Sequence, residues 1–334
     1  MPYYYEKTGH ELKNIEGRIE AAIFQPIATL KAQVWVTPEP VPFKERTSGQ
    51  AAEIAVGQTW AKLWDCGWFH FTGQVPAEAR GKKVALLVDL SGEGLVVADD
   101  GTPLQGLTTV SSEFDLSLGR PGKRVIEYLD KAKGGETVDF WVEAGMNDLF
   151  GRYQDSGILK EASVAICNPT MRQLWYDFSV LRELAEQLPA DTARKAQIVA
   201  ALHSVGNLLF DYTEEEAAQA RECLAKELAK TGGTPSLSLT ATGHAHIDLA
   251  WLWPVRETIR KAGRTFSTVL RMMERYPDYI FGGSQPQLYQ WTKDYYPALF
   301  EQIKKRVAEG RWELQGGMWV EADTNVSGGE ALVR

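Results

Sequence analysis

Cysteine is scarce in this chain: three in 334 residues, Cys66, Cys167 and Cys223, with no C-x-x-C pair among them. An odd, widely spaced set suggests neither a disulfide framework nor a thiolate zinc site, and it points to a reducing, cytoplasmic setting. Runs of positive charge are also missing. With 36 Lys and Arg against 44 Asp and Glu the formal net charge is -8, and no basic block stands out to neutralise phosphates, so no nucleic-acid partner is expected. No apolar stretch is long enough to cross a bilayer, and the start Met1-Pro2-Tyr3-Tyr4-Tyr5-Glu6-Lys7 lacks a basic segment followed by an apolar run. Neither a membrane partner nor a signal peptide is expected. What is present is apolar material for a core, 44% hydrophobic and 10% aromatic residues, in a length that suits about two domains.

Texture divides the chain. From residue 10 to about 30 the spacing of Leu12, Ile15, Ile19, Ala22 and Ile23 predicts a helix, within a lead-in segment 1–31. Residues 32–168 carry short runs rich in β-branched and aromatic side chains, among them Trp68-Phe69-His70-Phe71, Val84-Ala85-Leu86-Leu87-Val88 and Val138-Asp139-Phe140-Trp141-Val142, separated by turn signals such as Asp99-Asp100-Gly101. Regular strands with little helix between them predict an antiparallel β-sandwich. Its aromatic set Trp60, Trp64, Trp68, Phe69 and Phe71 reads as packing rather than a sugar platform, and His70 as structural. Residues 169–232 read as a helical linker: Leu174, Trp175, Phe178, Leu181, Leu184 and Leu188 form one helical stripe, Asp191 is a candidate N-cap for a second helix, and Thr213-Glu214-Glu215-Glu216 opens a third as a capping box.

From 233 to 334 strands and helices alternate. Strands are expected at 237–242, 279–283 and 312–317, with one helix over 255–273 and another over 288–307. These are βα units of a parallel sheet or barrel, and three of them cannot close a barrel. The first leads into Gly243-His244-Ala245-His246-Ile247-Asp248-Leu249-Ala250-Trp251, so the motif lies where a strand ends and a helix is about to begin. That is the ligand-binding face of parallel α/β folds. His246 and Asp248 are two apart and point to one side of an extended backbone, where an imidazole nitrogen and a carboxylate oxygen can reach one divalent ion. The plain alternative is a polar strand end with a hydrogen-bonded histidine. His244 either orients a ligand from behind or packs at the strand end.

The third strand leads into Gly316-Gly317-Met318-Trp319-Val320-Glu321-Ala322-Asp323-Thr324-Asn325 on the same face. Asp323 or Glu321 can supply another oxygen to the same ion; Asp323 alone can also be read as a helix cap. Together the two motifs, with Ser327-Gly328-Gly329-Glu330, resemble the retaining α-mannosidases of glycoside hydrolase family 38, closest to the cytosolic or vacuolar catabolic branch and its bacterial relatives. The resemblance extends through 287–310 and more loosely over the rest.

That resemblance implies that His246 and Asp248 are metal ligands, that Asp323 is both a ligand and the nucleophile forming the glycosyl-enzyme, and that Trp251 lines the sugar subsite. It implies one divalent ion, zinc or in this branch cobalt. It also implies a multidomain architecture: β-sandwich, helical linker, then the first part of a seven-stranded α/β barrel, truncated at Arg334. The family's remaining ligating histidine and its general acid would lie beyond that point, so little turnover is expected of this chain alone. Glu321 and Glu330 have no assigned role.

Retaining cleavage needs a carboxylate below the anomeric carbon and an acid to protonate the leaving oxygen, about 5 Å apart. A metal would keep Asp323 ionised and could hold the vicinal 2- and 3-hydroxyls, favouring mannose. The substrates expected are terminal α-mannosides of oligosaccharides or small mannosides. Two alternatives stay open: a metal-dependent hydrolase of another class using a metal-activated water, and a carbohydrate-binding module without catalysis. An unfinished barrel would expose apolar faces, so self-association is expected, and a homo-oligomer for the full-length protein.

Overall fold

A computed structural model describes residues 2–108, 124–147, 155–231, 238–321 and 327–333. The chain opens with helix α1 (Pro2–Ala21), whose Leu12, Ile15 and Ile19 are buried as their spacing predicts. The helix expected to continue to about residue 30 stops sooner, because Phe24–Thr29 forms strand β1. That strand lies at a sheet edge and its register slips between Pro26 and Ala28. An edge with a bulge is where a strand accommodates a proline.

The following strands are β2 (Lys31–Thr37), β3 (Gln50–Ile54), β4 (Thr59–Lys62), β5 (Cys66–Gln74), β6 (Lys83–Asp89), β7 (Glu93–Val97), β8 (Pro103–Thr108), β9 (Val125–Leu129), β10 (Thr137–Gly145), β11 (Ser156–Ile158) and β12 (Glu161–Cys167). Two antiparallel sheets result, of order β1-β12-β6-β9 and β3-β2-β5-β10-β7-β8, with β4 and β11 paired separately. The expected sandwich is present. Period-two alternation explains it: Phe69 and Phe71 point into the core with Val34, Leu86, Val142 and Val164, while Trp68 faces the other way into a second cluster with Leu95 and Val97. Trp60, Trp68, Phe69 and Phe71 are buried, which bears out packing for them, and His70 binds Asp139 at 2.9 Å while stacking on Trp141.

Three helices follow: α2 (Pro169–Gln187), α3 (Ala193–Leu208) and α4 (Glu214–Leu228). Asn168 caps α2 by accepting from the Met171 amide, with Pro169 in the first turn, and the Thr213/Glu216 capping box opens α4. The cap of α3 is Thr192 rather than the expected Asp191; its hydroxyl accepts from the Lys195 amide. All three pack with α1 around Phe178, Leu202 and Leu224.

The last third holds β13 (Gly243–His244), α5 (Val255–Arg275), β14 (Phe281–Gly283), α6 (Pro286–Tyr295), α7 (Pro297–Ala308), β15 (Trp312–Leu314) and the short α8 (Gly329–Val333). The strands form a parallel sheet, β13-β14-β15, with Gly243 opposite Phe281 and Phe281 opposite Trp312. Two expectations are corrected here. Of the strand at 237–242, residue 237 lies outside the described residues and 238–242 form no strand; Leu239 is 95% exposed, so the alternation has no layer to pack on. The single helix over 288–307 is two, because Pro297 has no amide hydrogen and its ring blocks the preceding turn, leaving Tyr296 non-helical between α6 and α7. Among the described residues no helix is long and apolar enough to cross a membrane.

Helix α5 joins the sandwich to the parallel sheet. One side buries Ala262, Phe266, Leu270 and Met273 against Phe281, Leu299 and Trp312. The other meets the sandwich through buried charges. Arg260 donates to Glu143 at 2.9 Å, to Glu257 at 2.5 Å and to the Ala144 carbonyl at 2.6 Å. Lys261 and Arg264 both reach Glu93, at 2.5 and 3.2 Å, and Asn147 donates to Glu93 and Glu257. Gly106 of β8 comes so close that an added Cβ would lie 2.8 Å from the Arg264 carbonyl oxygen.

The network carries a pH signature. Burial alone would raise the Glu93 carboxyl, but Arg264, Lys261 and the hydrogen bonds outweigh it and hold the group at about 2 instead of 4.5. A carboxylate depressed in the folded state stabilises above its unfolded value and loses that contribution as pH falls through the folded one. The window therefore runs from about pH 4.5 down to about 2, and the stabilisation lost is about 3 kcal/mol. Urea unfolding of the protein and of Glu93→Gln from pH 7 to 2.5 checks this. The variant should be weaker at pH 7 and should lose less stability on acidification; parallel profiles would refute it.

Candidate active site

The site forms where the chain leaves the three parallel strands. His244, the last residue of β13, faces Gly282 of β14; its Nδ1 lies 2.8 Å from that carbonyl oxygen, and its ring stacks along Phe281. Beyond it the side chains alternate. Ile247 turns into the core with Phe266 and Phe281, so His246 and Asp248 on either side of it turn outward together. His246 Nε2 and Asp248 Oδ1 are 2.9 Å apart, both about half exposed.

The loop after β15 brings Glu321 to the opposite edge of the same imidazole, Oε2 3.1 Å from Nδ1. The loop after β14 ties both together. Ser284 Oγ donates to Glu321 Oε1 at 2.7 Å. Gln285, buried and in the left-handed region at φ +66°, donates from Nε2 to the Ile247 carbonyl at 2.7 Å and accepts the Glu321 amide at Oε1. Trp319 donates its indole N–H to Gln287. Sequence reasoning offered Glu321 only as an alternative oxygen donor to the ion and missed Ser284 and Gln285. The available signal was positional: Ser284 and Gln285 directly follow a parallel strand, on the face where the two recognised motifs also end.

Helix α5 fixes the other end of the motif. Thr258, in its first turns, donates to the Leu249 carbonyl at 2.5 Å and accepts from the Trp253 indole. Lys261 lies 4.5 Å from the centre of the Trp253 ring. Trp251 meets Trp253 edge to face and keeps 48% of its surface exposed, available to an apolar ligand face. Asp323 lies outside the described residues.

Electrostatically, Asp248 and then Glu321 favour the charged imidazole, so the His246 pKa is raised above its ordinary value. A divalent ion would replace the proton at Nε2. Two donors each about 2.1 Å from one ion lie about 3 to 3.4 Å apart, depending on coordination geometry. At 2.9 Å, His246 Nε2 and Asp248 Oδ1 come close to that spacing, and imidazole with carboxylate suits zinc or cobalt. Among the described residues no group of three or more His, Cys, Asp or Glu side chains is arranged to hold an ion.

With this geometry in view, comparison with known proteins is informative. Residues 236–334 match the glycosyl hydrolases family 38 N-terminal domain, and residues 26–176 match an alpha-mannosidase jelly roll domain. The last third of the chain thus resembles the N-terminal domain of glycosyl hydrolase family 38. The family 38 match contains both site loops, and the jelly roll match coincides with the sandwich. Among its relatives, human Alpha-mannosidase 2C1 is 32% identical over 332 residues, covering 96% of this chain and 31% of that protein. The Alpha-mannosidase of Saccharomyces cerevisiae is 30% identical over 306 residues, covering 84% and 27%. Alpha-mannosidase G of Dictyostelium discoideum is 29% identical over 316 residues, covering 91% and 28%. The chain therefore spans about a third of the length of the curated relatives it matches.

Proposed function

We propose that this chain supplies the amino-terminal part of the active site of a metal-dependent, retaining α-mannosidase that hydrolyses terminal α-mannosides of oligosaccharides or small mannosides. The observation that carries the reading is the outward-facing pair His246 and Asp248, 2.9 Å apart at the end of the first parallel strand of the segment that matches the family 38 domain. His246, Asp248 and Asp323 would hold a zinc or cobalt ion, whose positive charge keeps a neighbouring carboxylate ionised and attracts the sugar's vicinal hydroxyls.

Asp323 attacks the anomeric carbon as the bond to the leaving oxygen breaks, giving a glycosyl-enzyme that water then hydrolyses. Trp251, about half exposed, offers indole surface to the sugar ring. Protonation of the leaving oxygen falls to a second carboxyl group about 5 Å from the nucleophile, contributed by a further part of the barrel. The low cysteine content and net charge of -8 support a cytoplasmic protein with a carbohydrate rather than a nucleic-acid partner. Exposed Leu314, Trp319 and Val320 support self-association of the 334 residues.

The test is covalent trapping in a polypeptide of the relatives' length. A fluorinated mannosyl fluoride that slows breakdown of the glycosyl-enzyme should leave one adduct, which peptide mass spectrometry places on Asp323. Hydrolysis of a mannoside without any adduct would favour a metal-activated water. Retention on mannan without hydrolysis, unchanged by Asp248→Ala, would favour a binding module.

A further inference from the structure

We propose that Glu321 is a positioning residue for a divalent cation: it fixes the ring plane and tautomer of His246 so that the Nε2 lone pair, beside Asp248, faces the ion. The proposal rests on the metal-site reading above and places Glu321 behind the histidine rather than on the ion.

The two nitrogens of one imidazole point apart, so they cannot address the same ion. Asp248 sits 2.9 Å from Nε2 and Glu321 sits 3.1 Å from Nδ1, on opposite edges of the ring. Glu321 is therefore placed to accept a hydrogen bond from Nδ1, and a neutral ring that donates there leaves Nε2 unprotonated for a metal. A carboxylate behind a ligating histidine both orients the ring and makes its free nitrogen a better donor.

Glu321 is itself held at two points. Its Oε1 accepts the Ser284 hydroxyl at 2.7 Å, and its amide donates to Gln285 Oε1 at 3.3 Å. Gln285 completes a closed path, since its Nε2 binds the carbonyl of Ile247, the residue between His246 and Asp248. The loops after β13, β14 and β15 are thus locked to one another through a buried amide, and the orientation of His246 depends on all three. A carboxylate that merely balanced surface charge would need no such brace.

Calorimetric titration of the metal-stripped polypeptide of the relatives' length with zinc, and a parallel titration with cobalt followed by its visible absorption, test the proposal. The unsubstituted polypeptide should bind one ion, and Asp248→Ala should abolish binding. Glu321→Ala should keep one-to-one stoichiometry, weaken affinity by about 10- to 100-fold and shift the cobalt bands. Glu321→Gln can still accept from Nδ1 through its amide oxygen, and should recover most of the loss and the original bands.

Affinity within twofold of the unsubstituted polypeptide in Glu321→Ala overturns the proposal while leaving the metal site standing. Complete loss of binding in Glu321→Ala, unrescued by Gln although both variants retain the circular dichroism of the unsubstituted polypeptide, makes Glu321 a ligand and also overturns it. Failure of the unsubstituted polypeptide to bind either ion overturns both this proposal and the metal-site reading.

Discussion

Asp248→Ala, made in a polypeptide of the relatives' length and assayed on an aryl α-mannoside, is expected to lower kcat/KM about 10³-fold or more. The reasoning starts at the strand end. Asp248 sits 2.9 Å from His246 Nε2 and points with it to the open face, because Ile247 between them is anchored in the core. Removing one of two adjacent oxygen and nitrogen donors takes away the negative charge that attracts a cation. Metal charge at a developing transition state contributes several kcal/mol, and each 1.36 kcal/mol is tenfold in rate. Because Asp248 is about half exposed, stability should change little, so thermal unfolding of the variant separates loss of chemistry from loss of fold. Activity within tenfold of the unsubstituted protein would remove Asp248 from the metal site.

The second large effect is on stability. Arg260→Met should cost about 3–5 kcal/mol in urea unfolding. The Arg260 side chain is only 3% exposed, and burial works against its charge; Glu143 and Glu257 outweigh that and raise its pKa well above the ordinary value. Removing the guanidinium leaves those two carboxylates buried without their main partner, together with the Ala144 carbonyl it satisfies. The penalty is the stranded charge, so the double variant Arg260→Met/Glu143→Leu should recover part of the loss. A change under about 1 kcal/mol in the single variant would mean that neighbouring cations take over. Helix α5 carries this network on one side and holds Leu249 through Thr258, so the same variant should also loosen the motif loop, read as faster amide exchange near residues 249–253.

Much of the architecture could be read directly from the chain. The sandwich followed from alternation such as Phe69 and Phe71 against Trp68 and His70, and the α4 cap from Thr213 and Glu216, because these patterns act over two to four residues. Misreadings arose where a local pattern was overruled. The helix reading ran on into Phe24–Thr29, which instead pairs with β12, and the alternation around Leu239 finds no partner layer. Pro297 divides a stripe whose apolar spacing runs unbroken from Leu288 to Val307.

For the site, the sequence by itself determined that His246 and Asp248 share a side, because backbone geometry makes residues two apart do so. Only the tertiary structure decided what stands behind them. Glu321 is 75 positions from His246, and Ser284 and Gln285 come from a third loop; parallel strand pairing brings the three ends together. The same holds for Glu93 and Glu143, which read as ordinary strand charges until α5 covers them with Lys261, Arg264 and Arg260. Local periodicity records which face a residue occupies, whereas the partner across that face is set by the packing of distant segments, and no short window of sequence contains it.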